Sequence, residues 1–362
     1  MRVPMMGLRD MTHRHTANCD CLALSRRLVL AGLSAAALPL AAAQGADKPD
    51  RAPRRVDVHH HFFPPGYLDK MAEVVGNKPS PLMTGWSAAG VLEHMDKTGV
   101  ATGIASMSPW GPHFKDAAQA RDLARLCNDY AAQMGRDHAG RFGLFAAMPL
   151  PDVDGALKEI EYALDTLKAD GVGLMTSYGG KWPGDPAFAP VWEELNRRKA
   201  VAYFHPNTPE CCGNLVPGAQ PSMLEWPYDT GRAVVSLLLG GALAKYPDIK
   251  WIFSHAGGPV PALAGRIVNM TRNRPDLAQI APQGVMHELT RLHYDTANAS
   301  FAPTMAALLK FAPVSQVLFG SDYPYYSLEE NVGLLAEYPL TPAERQAIDR
   351  GNAARLMPQF AG

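Results

Sequence analysis

The sequence predicts an α/β fold, a single (β/α)8 TIM barrel with a metal site at its C-terminal mouth. Eight short apolar runs alternate with longer amphipathic stretches, as expected of parallel strands that are each followed by a helix. The chain has 362 residues, which is enough for one such barrel of about 250 residues. Histidines and an aspartate stand at the ends of several apolar runs, where the reactive side chains of a barrel gather.

The predicted strands are short, and polar or turn-forming residues separate them from the helices. They cover residues 56–61, 102–107, 142–147, 172–175, 201–205, 250–255, 292–296 and 317–322. An open doubly wound sheet would give the same alternation of strands and helices. The barrel is favoured because all its strands end at one mouth, which would bring the polar residues at their ends together.

The predicted helices follow the strands in turn, with a longer loop after the fifth strand at residues 207–226. They lie near residues 87–98, 117–135, 153–168, 188–199, 228–246, 260–273, 303–311 and 328–337. A last helix is predicted after Thr341. Thr341 is a favourable N-cap, Pro342 suits the first turn, and Glu344 completes a capping box.

Residues 1–46 are predicted to be an export signal that takes no part in the fold. Arg26 and Arg27 precede an apolar run that ends in small residues, which is typical of the twin-arginine route. The run is shorter than the roughly 20 residues of a membrane-spanning helix, although an uncleaved N-terminal anchor is the alternative. Residues 47–55 are predicted to be a polar tether and residues 56–362 the barrel. We therefore expect a periplasmic protein without a membrane anchor after cleavage.

Composition argues against several classes of partner. The net charge is −1 and the sequence has no basic stripe, so neither nucleic acid nor anionic membrane is expected as a ligand. A small-molecule substrate fits better. Beyond the predicted signal the only cysteines are Cys127, Cys211 and Cys212. We predict that they are reduced or buried, because a bridge between the neighbouring pair would be strained; free surface reactivity is the alternative.

The most informative segment is the run His59-His60-His61 at the end of the first predicted strand. Side chains alternate along a strand, so His59 and His61 share one face and His60 takes the other. The fifth, sixth and eighth predicted strands contribute His205, His255 and Asp322. Imidazole and carboxylate groups gathered at four strand ends suit a divalent ion such as zinc or manganese.

This arrangement resembles the amidohydrolase superfamily, which has His-x-His on strand one, histidines on strands five and six, and aspartate on strand eight. The resemblance implies the metal ligands His59, His61, His205 and Asp322. It also implies that His255 is the acid–base residue. Members with two metals carry a lysine or glutamate at strand four, where this chain has Met175-Thr176. We therefore expect one divalent ion, with zinc favoured over manganese although the ligands suit both.

Several motifs resemble the branch that contains aminocarboxymuconate-semialdehyde decarboxylase and the 6-methylsalicylate decarboxylases. They are residues 57–65, Ser254-His255-Ala256-Gly257-Gly258 and Leu318-Phe319-Gly320-Ser321-Asp322. In the semialdehyde decarboxylase an arginine after strand six crosses the dimer to a substrate carboxylate, and Arg266 stands at the matching place. A second carboxylate-binding arginine has no counterpart near Trp86. The resemblance therefore implies a homodimer and favours an aromatic monoacid over a dicarboxylate.

The sequence thus predicts a metal-dependent decarboxylase, a carboxy-lyase, that acts on a small ortho-hydroxy aromatic acid. Asp322 or His255 would deliver a proton to the ring carbon that bears the carboxylate. Arg266, Trp110 and Tyr323 are predicted to contact the substrate, and Trp86 and Trp226 are further candidates for an aromatic wall. The alternative is a metal-dependent hydrolase that cleaves an ester, lactone or amide with a metal-bound water. A non-catalytic binding protein is a third possibility, but it would leave His255 without a role.

Overall fold

The computed structural model of the chain describes residues 55–75, 79–108, 116–213 and 215–361. The predicted export signal, the predicted tether up to residue 54, and Trp110 lie outside these residues, so what the sequence suggests about them stays a prediction. Among the described residues, no helix is both long enough and apolar enough to cross a membrane.

Eight parallel strands form one sheet in which each strand pairs with the next along the chain. They are β1 (Arg55–His61), β2 (Val100–Ser106), β3 (Phe142–Ala147), β4 (Gly171–Met175), β5 (Val201–His205), β6 (Lys250–Phe253), β7 (His293–Asp295) and β8 (Val317–Leu318). The amide of Val58 donates to the Phe319 carbonyl, and the amide of Asp322 donates to the His59 carbonyl. These bonds join β1 to the segment after β8, and the predicted eight-stranded barrel is confirmed.

Helices connect successive strands, and several short helices complete the loops. They are α1 (Pro65–Val75), α2 (Pro81–Thr84), α3 (Ala88–Thr98), α4 (Ala117–Asp137), α5 (Val153–Glu161), α6 (Ala189–Arg198), α7 (Pro221–Leu239), α8 (Ala242–Lys245), α9 (Val260–Thr271), α10 (Leu277–Ile280), α11 (Val285–Thr290), α12 (Ala302–Phe311), α13 (Leu328–Glu337), α14 (Pro342–Gln346) and α15 (Asn352–Leu356). The predicted capping box is present, because Thr341 and Glu344 exchange hydrogen bonds at the start of α14.

Two predicted boundaries are wrong. Helix α7 begins at Pro221, several residues before the predicted start, because Pro221 occupies the first turn and has the backbone angle that a helix needs there. The loop after β5 is correspondingly shorter than predicted. Strand β8 ends at Leu318, so Asp322 lies in a loop and not on the strand itself.

Apolar side chains from strands all around the barrel fill its interior: Val56, Val58, Ile104, Phe145, Val201, Tyr203, Ile252 and Leu318. The pairing of β1 with β2 is irregular between Asp57 and His60. Val58 packs in this inner cluster, and the ring of the next residue, His59, lies 5.5 Å from the Tyr203 ring of the same cluster. An irregular register of this kind can re-aim a side chain. Here it turns two consecutive residues towards the barrel interior.

The prediction of reduced cysteines is wrong for one pair. Cys211 and Cys212 form a disulfide in the loop between β5 and α7. That loop is irregular, so its backbone is not held in the geometry of a helix or a strand. Cys127 is free and buried in α4, as predicted.

Candidate metal centre

Five polar side chains from four strand ends meet at the C-terminal mouth of the barrel. His59 and His61 stand at the end of β1, and His205 is the last residue of β5. His255 follows β6, and Asp322 follows β8. Parallel strands of a barrel end at the same mouth, which makes neighbours of residues far apart in the sequence. All five side chains are buried except that of His255, which is partly exposed.

The polar atoms of this cluster lie within a few ångströms of one another. Nε2 of His61 is 3.2 Å from Nε2 of His59 and 2.9 Å from Oδ1 of Asp322. The same carboxylate oxygen lies 3.2 Å from Nε2 of His59 and 4.0 Å from Nε2 of His205. The other oxygen, Oδ2, lies 3.9 Å from Nε2 of His255. The structure thus brings together the four predicted metal ligands and the predicted acid–base residue.

Each imidazole is oriented by an oxygen on its Nδ1 side. The pairs are His59 with Oδ2 of Asp295 (3.0 Å), His61 with the Ser106 carbonyl (3.2 Å), His205 with the Pro206 carbonyl (2.7 Å) and His255 with the Ala297 carbonyl (2.9 Å). In a neutral imidazole such an acceptor places the proton on Nδ1 and leaves the Nε2 lone pair free. All four Nε2 atoms can therefore face the centre, and partners of this kind orient the histidine ligands of metal ions.

The cluster fits a single divalent ion. The ligand atoms that lie within 4.8 Å of one another belong to His59, His205, His255 and Asp322. Nε2 of His205 is buried without a hydrogen-bond partner, as expected of a lone pair reserved for a ligand. At the end of β4 the hydroxyl of Thr176 donates to Asp229 over 2.5 Å. That residue is therefore engaged elsewhere and supplies no ligand for a second ion.

His61 and His255 differ in their distance from Asp322. The compact set of four ligand atoms contains His255 and not His61. Even so, Nε2 of His61 is closer to the carboxylate than Nε2 of His255, at 2.9 Å against 3.9 Å. His61 is also more deeply buried. Of the two, His61 is therefore nearer the carboxylate, and His255 is more accessible to solvent.

Two carboxylates control the charge of the cluster. Burial disfavours the charged form of His59, but the carboxylates of Asp295 and Asp322 raise its pKa to about 10. Burial also disfavours the charged form of Asp322, yet the facing imidazoles hold its pKa well below the usual range. For His205, burial and the neighbouring histidines hold the pKa well below its usual range. Among the four imidazoles only His59 thus favours its charged form, between the carboxylates of Asp295 and Asp322, while burial lowers the pKa of His61 and His255 as well.

Backbone geometry carries Asp322 and His255 into the site. Both adopt left-handed conformations, with φ of 62° and 53°, a region that is uncommon for residues other than glycine. Backbone conformations of this kind are concentrated at functional sites. Gly320 lets the segment after β8 approach β1, because a Cβ atom there would lie 2.9 Å from Cβ of His59.

A cleft of about 680 Å³ opens onto the cluster. Two aromatic rings that line it stand beside candidate ligands, since Trp226 lies 5.9 Å from His205 and Tyr325 lies 5.5 Å from His61 between ring centres. The other described lining residues are Thr208, Gln220, Pro221, Ser222, Pro227, His255, Gly258, Asn298, Ala299, Thr304, Asp322 and Tyr326. This described lining includes no lysine or arginine, so the positive charge for a bound carboxylate would come from the histidines of the cluster or from a metal ion that they hold.

Two of the three predicted substrate contacts lie outside the described lining of the cleft. Arg266 is exposed on α9 and is not among the described residues that line the cleft. Tyr323 stacks on His60 with 5.1 Å between ring centres, and it too is outside that lining. Trp110 lies outside the described residues. Of the further aromatic candidates, Trp226 lines the cleft.

Sequence reasoning missed Tyr325, Tyr326 and Asn298 as cleft residues. The two tyrosines follow the predicted ligand Asp322 within four residues, and that proximity was the available signal. Asn298 follows the end of β7 and also has a left-handed backbone, with φ of 47°. Its place in the cleft depends on that turn, for which the sequence has no distinctive pattern.

Comparison with known proteins identifies the family of the barrel. The amidohydrolase family model matches residues 56–358. The 6-methylsalicylic acid decarboxylase of Penicillium expansum is 35% identical over 315 residues, which cover 85% of this chain and 97% of that protein. The solved structure of an amidohydrolase II shares 27% identity and a TM-score of 0.77, over 84% of this chain and 99% of the other.

A more distant structure has the same fold. It is a dihydroxybenzoic acid decarboxylase from a Polaromonas species, solved with bound manganese and the inhibitor 2-nitroresorcinol. Its identity to this chain is 20% and its TM-score 0.73, over 84% of this chain and 96% of the other. The family match spans most of the chain, and the resemblance inferred from the strand-end motifs is confirmed. The protein belongs to the amidohydrolase family.

Proposed function

We propose that the protein is a metal-dependent decarboxylase of a small hydroxylated aromatic carboxylic acid. The observation that carries this proposal is the histidine and aspartate cluster at a cleft with aromatic walls. Trp226 and Tyr325 stand beside candidate ligands and offer flat apolar surfaces to a substrate ring. The Penicillium relative, whose name assigns it 6-methylsalicylic acid as substrate, supports a carboxy-lyase of this class.

The centre would hold the substrate by its carboxylate end. The residues that would bind one divalent ion are His59, His61, His205 and Asp322. When bound, the ion supplies positive charge for the substrate carboxylate and a neighbouring oxygen. The hydroxyl of Tyr326 and the amide of Asn298 lie along the same cleft, where they can hydrogen-bond to substituents of the ring.

Decarboxylation requires a proton at the ring carbon that bears the carboxylate. The Nδ1 proton of His255 is held by the Ala297 carbonyl, so Nε2 is the atom that can carry and release a second proton. This proton moves to the ring carbon, the bond to the carboxylate carbon breaks, its electron pair returns to the ring, and carbon dioxide leaves. Oδ2 of Asp322, 3.9 Å from Nε2 of His255, stabilises the protonated imidazole. Asp322 is the alternative donor, but its low pKa opposes the protonated form that it would need, so His255 is favoured.

One divalent ion per chain is part of the proposal. The ligand set suits zinc and manganese alike; zinc is favoured from the sequence, and manganese is the ion bound in the Polaromonas structure. Elemental analysis of the protein after dialysis against metal-free buffer identifies the ion. A ratio near one ion per chain supports the assignment, and a ratio of two contradicts the mononuclear centre.

The decisive experiment measures carbon dioxide release from purified, metal-loaded protein. The panel contains ortho-hydroxybenzoates, including 6-methylsalicylate, with simple esters and lactones assayed in parallel. We expect release from at least one hydroxybenzoate that stops on addition of a chelator and returns with the metal. Cleavage of an ester or lactone without carbon dioxide release would instead identify a hydrolase built on the same centre.

We also propose that residues 1–46 direct export by the twin-arginine route and that residues 47–54, which precede β1, tether the barrel after cleavage. The support is the Arg26-Arg27 pair before an apolar run. Replacing both arginines with lysine should keep the protein in the cytoplasm when cells are fractionated. Periplasmic protein in that variant would overturn the route.

A homodimer is proposed as the working assembly. Arg266 is exposed on α9, where it could contact a substrate carboxylate in a second copy. Light scattering should give twice the mass of one chain. Arg266→Ala should raise KM while the mass is unchanged, and an unchanged KM would assign Arg266 to the surface alone.

A further inference from the structure

The carboxylate of Asp57 is fully buried and accepts four hydrogen bonds. Oδ1 accepts the backbone amides of His59 at 3.1 Å and Ser321 at 3.0 Å. Oδ2 accepts the hydroxyl of Ser321 at 2.6 Å and Nδ1 of His60 at 3.0 Å. A buried charge is tolerated when it is hydrogen-bonded in this way. Each oxygen of this carboxylate thus has two hydrogen-bond donors, one in β1 and one in Ser321, which follows β8.

The donors belong to the two segments that close the barrel. His59 and His60 are in β1, and Ser321 follows β8, 264 residues after Asp57. Strand β8 is only two residues long, and beyond it three backbone hydrogen bonds join β1 to the segment of residues 319–323. The Asp57 carboxylate adds side-chain hydrogen bonds to these backbone bonds and fixes Ser321 within the segment.

Both segments carry candidate metal ligands. Asp57 binds the backbone amide of His59 directly, and it binds both polar groups of Ser321, the residue before Asp322. Asp322 has a left-handed backbone that must be held by its surroundings. The distance between Nε2 of His59 and Oδ1 of Asp322 is 3.2 Å. A change in the spacing of the two segments would change that distance.

We propose that Asp57 is a positioning residue for the metal centre, which sets the separation of the ligands on β1 from the ligand after β8. It contacts neither substrate nor metal and acts through His59 and Ser321. The inference rests on the proposed function only in requiring that the cluster binds a divalent ion. It does not depend on whether the reaction is a decarboxylation.

The test compares Asp57→Ala with Asn352→Ala, a control at the opposite end of the barrel. Asn352 is also buried, and its amide donates to the carbonyls of Val314 and Val317 at 2.7 Å each. Val317 begins β8, so the control removes buried hydrogen bonds at the same strand without touching the mouth. The folded apo proteins compete for Zn²⁺ with a chromophoric chelator, and circular dichroism checks the fold.

We expect Asp57→Ala to bind Zn²⁺ about 10- to 100-fold more weakly than the parent, the usual effect of removing a partner that orients ligands. Asn352→Ala should bind within about twofold of the parent, whatever its melting temperature. Equal Zn²⁺ affinity in the two variants would overturn the proposal, because it would reduce Asp57 to a general contribution to stability. Affinity is measured without substrate, so failure of the decarboxylase assay leaves this result intact.

Two milder variants keep the proposal testable if Asp57→Ala does not fold. Ser321→Ala removes the hydroxyl, which donates to Asp57 at 2.6 Å and to the His59 carbonyl at 3.3 Å and accepts the Tyr323 amide at 3.1 Å. The backbone amide of Ser321 still donates to Asp57, and we expect a loss of Zn²⁺ affinity of about two- to tenfold, the usual net contribution of a hydrogen bond. Asp57→Asn keeps an acceptor for the two backbone amides and should bind Zn²⁺ more tightly than Asp57→Ala. If Asp57→Ala does not fold, Asp57→Asn should bind Zn²⁺ at least as tightly as Ser321→Ala. If Ser321→Ala binds Zn²⁺ as tightly as the parent, the hydrogen bonds between Asp57 and Ser321 do not position the metal ligands, and the proposal is contradicted.

Discussion

Oδ2 of Asp295 accepts the Nδ1 proton of His59 over 3.0 Å. The other carboxylate oxygen of Asp295, Oδ1, accepts hydrogen bonds from the backbone amides of His255 at 2.9 Å and Ala297 at 3.0 Å. One buried carboxylate at the end of β7 thus orients a candidate metal ligand and the backbone of the candidate acid–base residue. The first prediction concerns this pair.

Asp295→Asn should lower metal affinity and activity about 10- to 100-fold, because the amide can no longer serve every donor as a charged acceptor. Metal titration of the folded variant and steady-state kinetics with saturating metal measure the two effects. Full activity once metal is in excess would show that Asp295 affects binding of the ion alone. Parent-like affinity and activity together would contradict the orienting role.

His255→Gln should lower kcat about 10²- to 10⁴-fold, the usual contribution of a positioned general acid. We expect the metal content to remain near one ion per chain, because His59, His61, His205 and Asp322 stay in place. Elemental analysis beside kinetics separates the two roles. Loss of the ion in this variant would instead show that His255 binds the metal. Its ring nitrogen lies within 4.8 Å of the ligand atoms of His59, His205 and Asp322, which is compatible with that role.

Removal of the metal should lower the melting temperature. An ion present at about 100 times its Kd stabilises the folded state by about 2.7 kcal/mol if it does not bind the unfolded chain. Melting curves with and without chelator measure the difference. His205→Ala is the control, since it removes a ligand and should make the melting temperature insensitive to the chelator. An equal shift in both proteins would place the ion elsewhere.

Aromatic substitutions test the cleft. Trp226→Leu and Tyr325→Leu should each raise KM about two- to tenfold, because an aromatic contact contributes about 0.5–1.5 kcal/mol beyond its buried area. Tyr323→Leu is the matched control, because Tyr323 stacks on His60 and lies outside the described cleft lining. A larger rise in KM for Tyr323→Leu than for Tyr325→Leu would support the prediction from the sequence that Tyr323 contacts the substrate.

Gly320→Ala should destabilise the fold by about 1–3 kcal/mol and weaken metal binding, because its new Cβ atom would crowd Cβ of His59 at 2.9 Å. Gly333→Ala, in helix α13, is the control. A Cβ atom there meets nothing within 4 Å, so alanine should stabilise the helix by about 0.5–1 kcal/mol. Chemical denaturation measures both, and equal stability of the two variants would contradict the close approach.

Much of the centre could be predicted from the sequence because parallel barrel strands all end at one mouth. His205 ends β5 and His255 follows β6, so their meeting follows from the order of strands and helices alone. The same logic located Asp322, although the strand before it is shorter than predicted. The expectation of one metal ion, which stays a prediction, came from the residues at the end of β4.

The sequence by itself therefore determined the fold, its family and the residues that gather at the mouth, because these depend on periodicity and chain order. Only the tertiary structure decided which tyrosine lines the cleft, since Tyr323 and Tyr325 lie in an irregular loop without a repeating side-chain direction. It also decided that the irregular pairing after Asp57 turns both Val58 and His59 inward. The bond between Asp57 and Ser321 spans 264 residues, and closure of the barrel alone makes them neighbours.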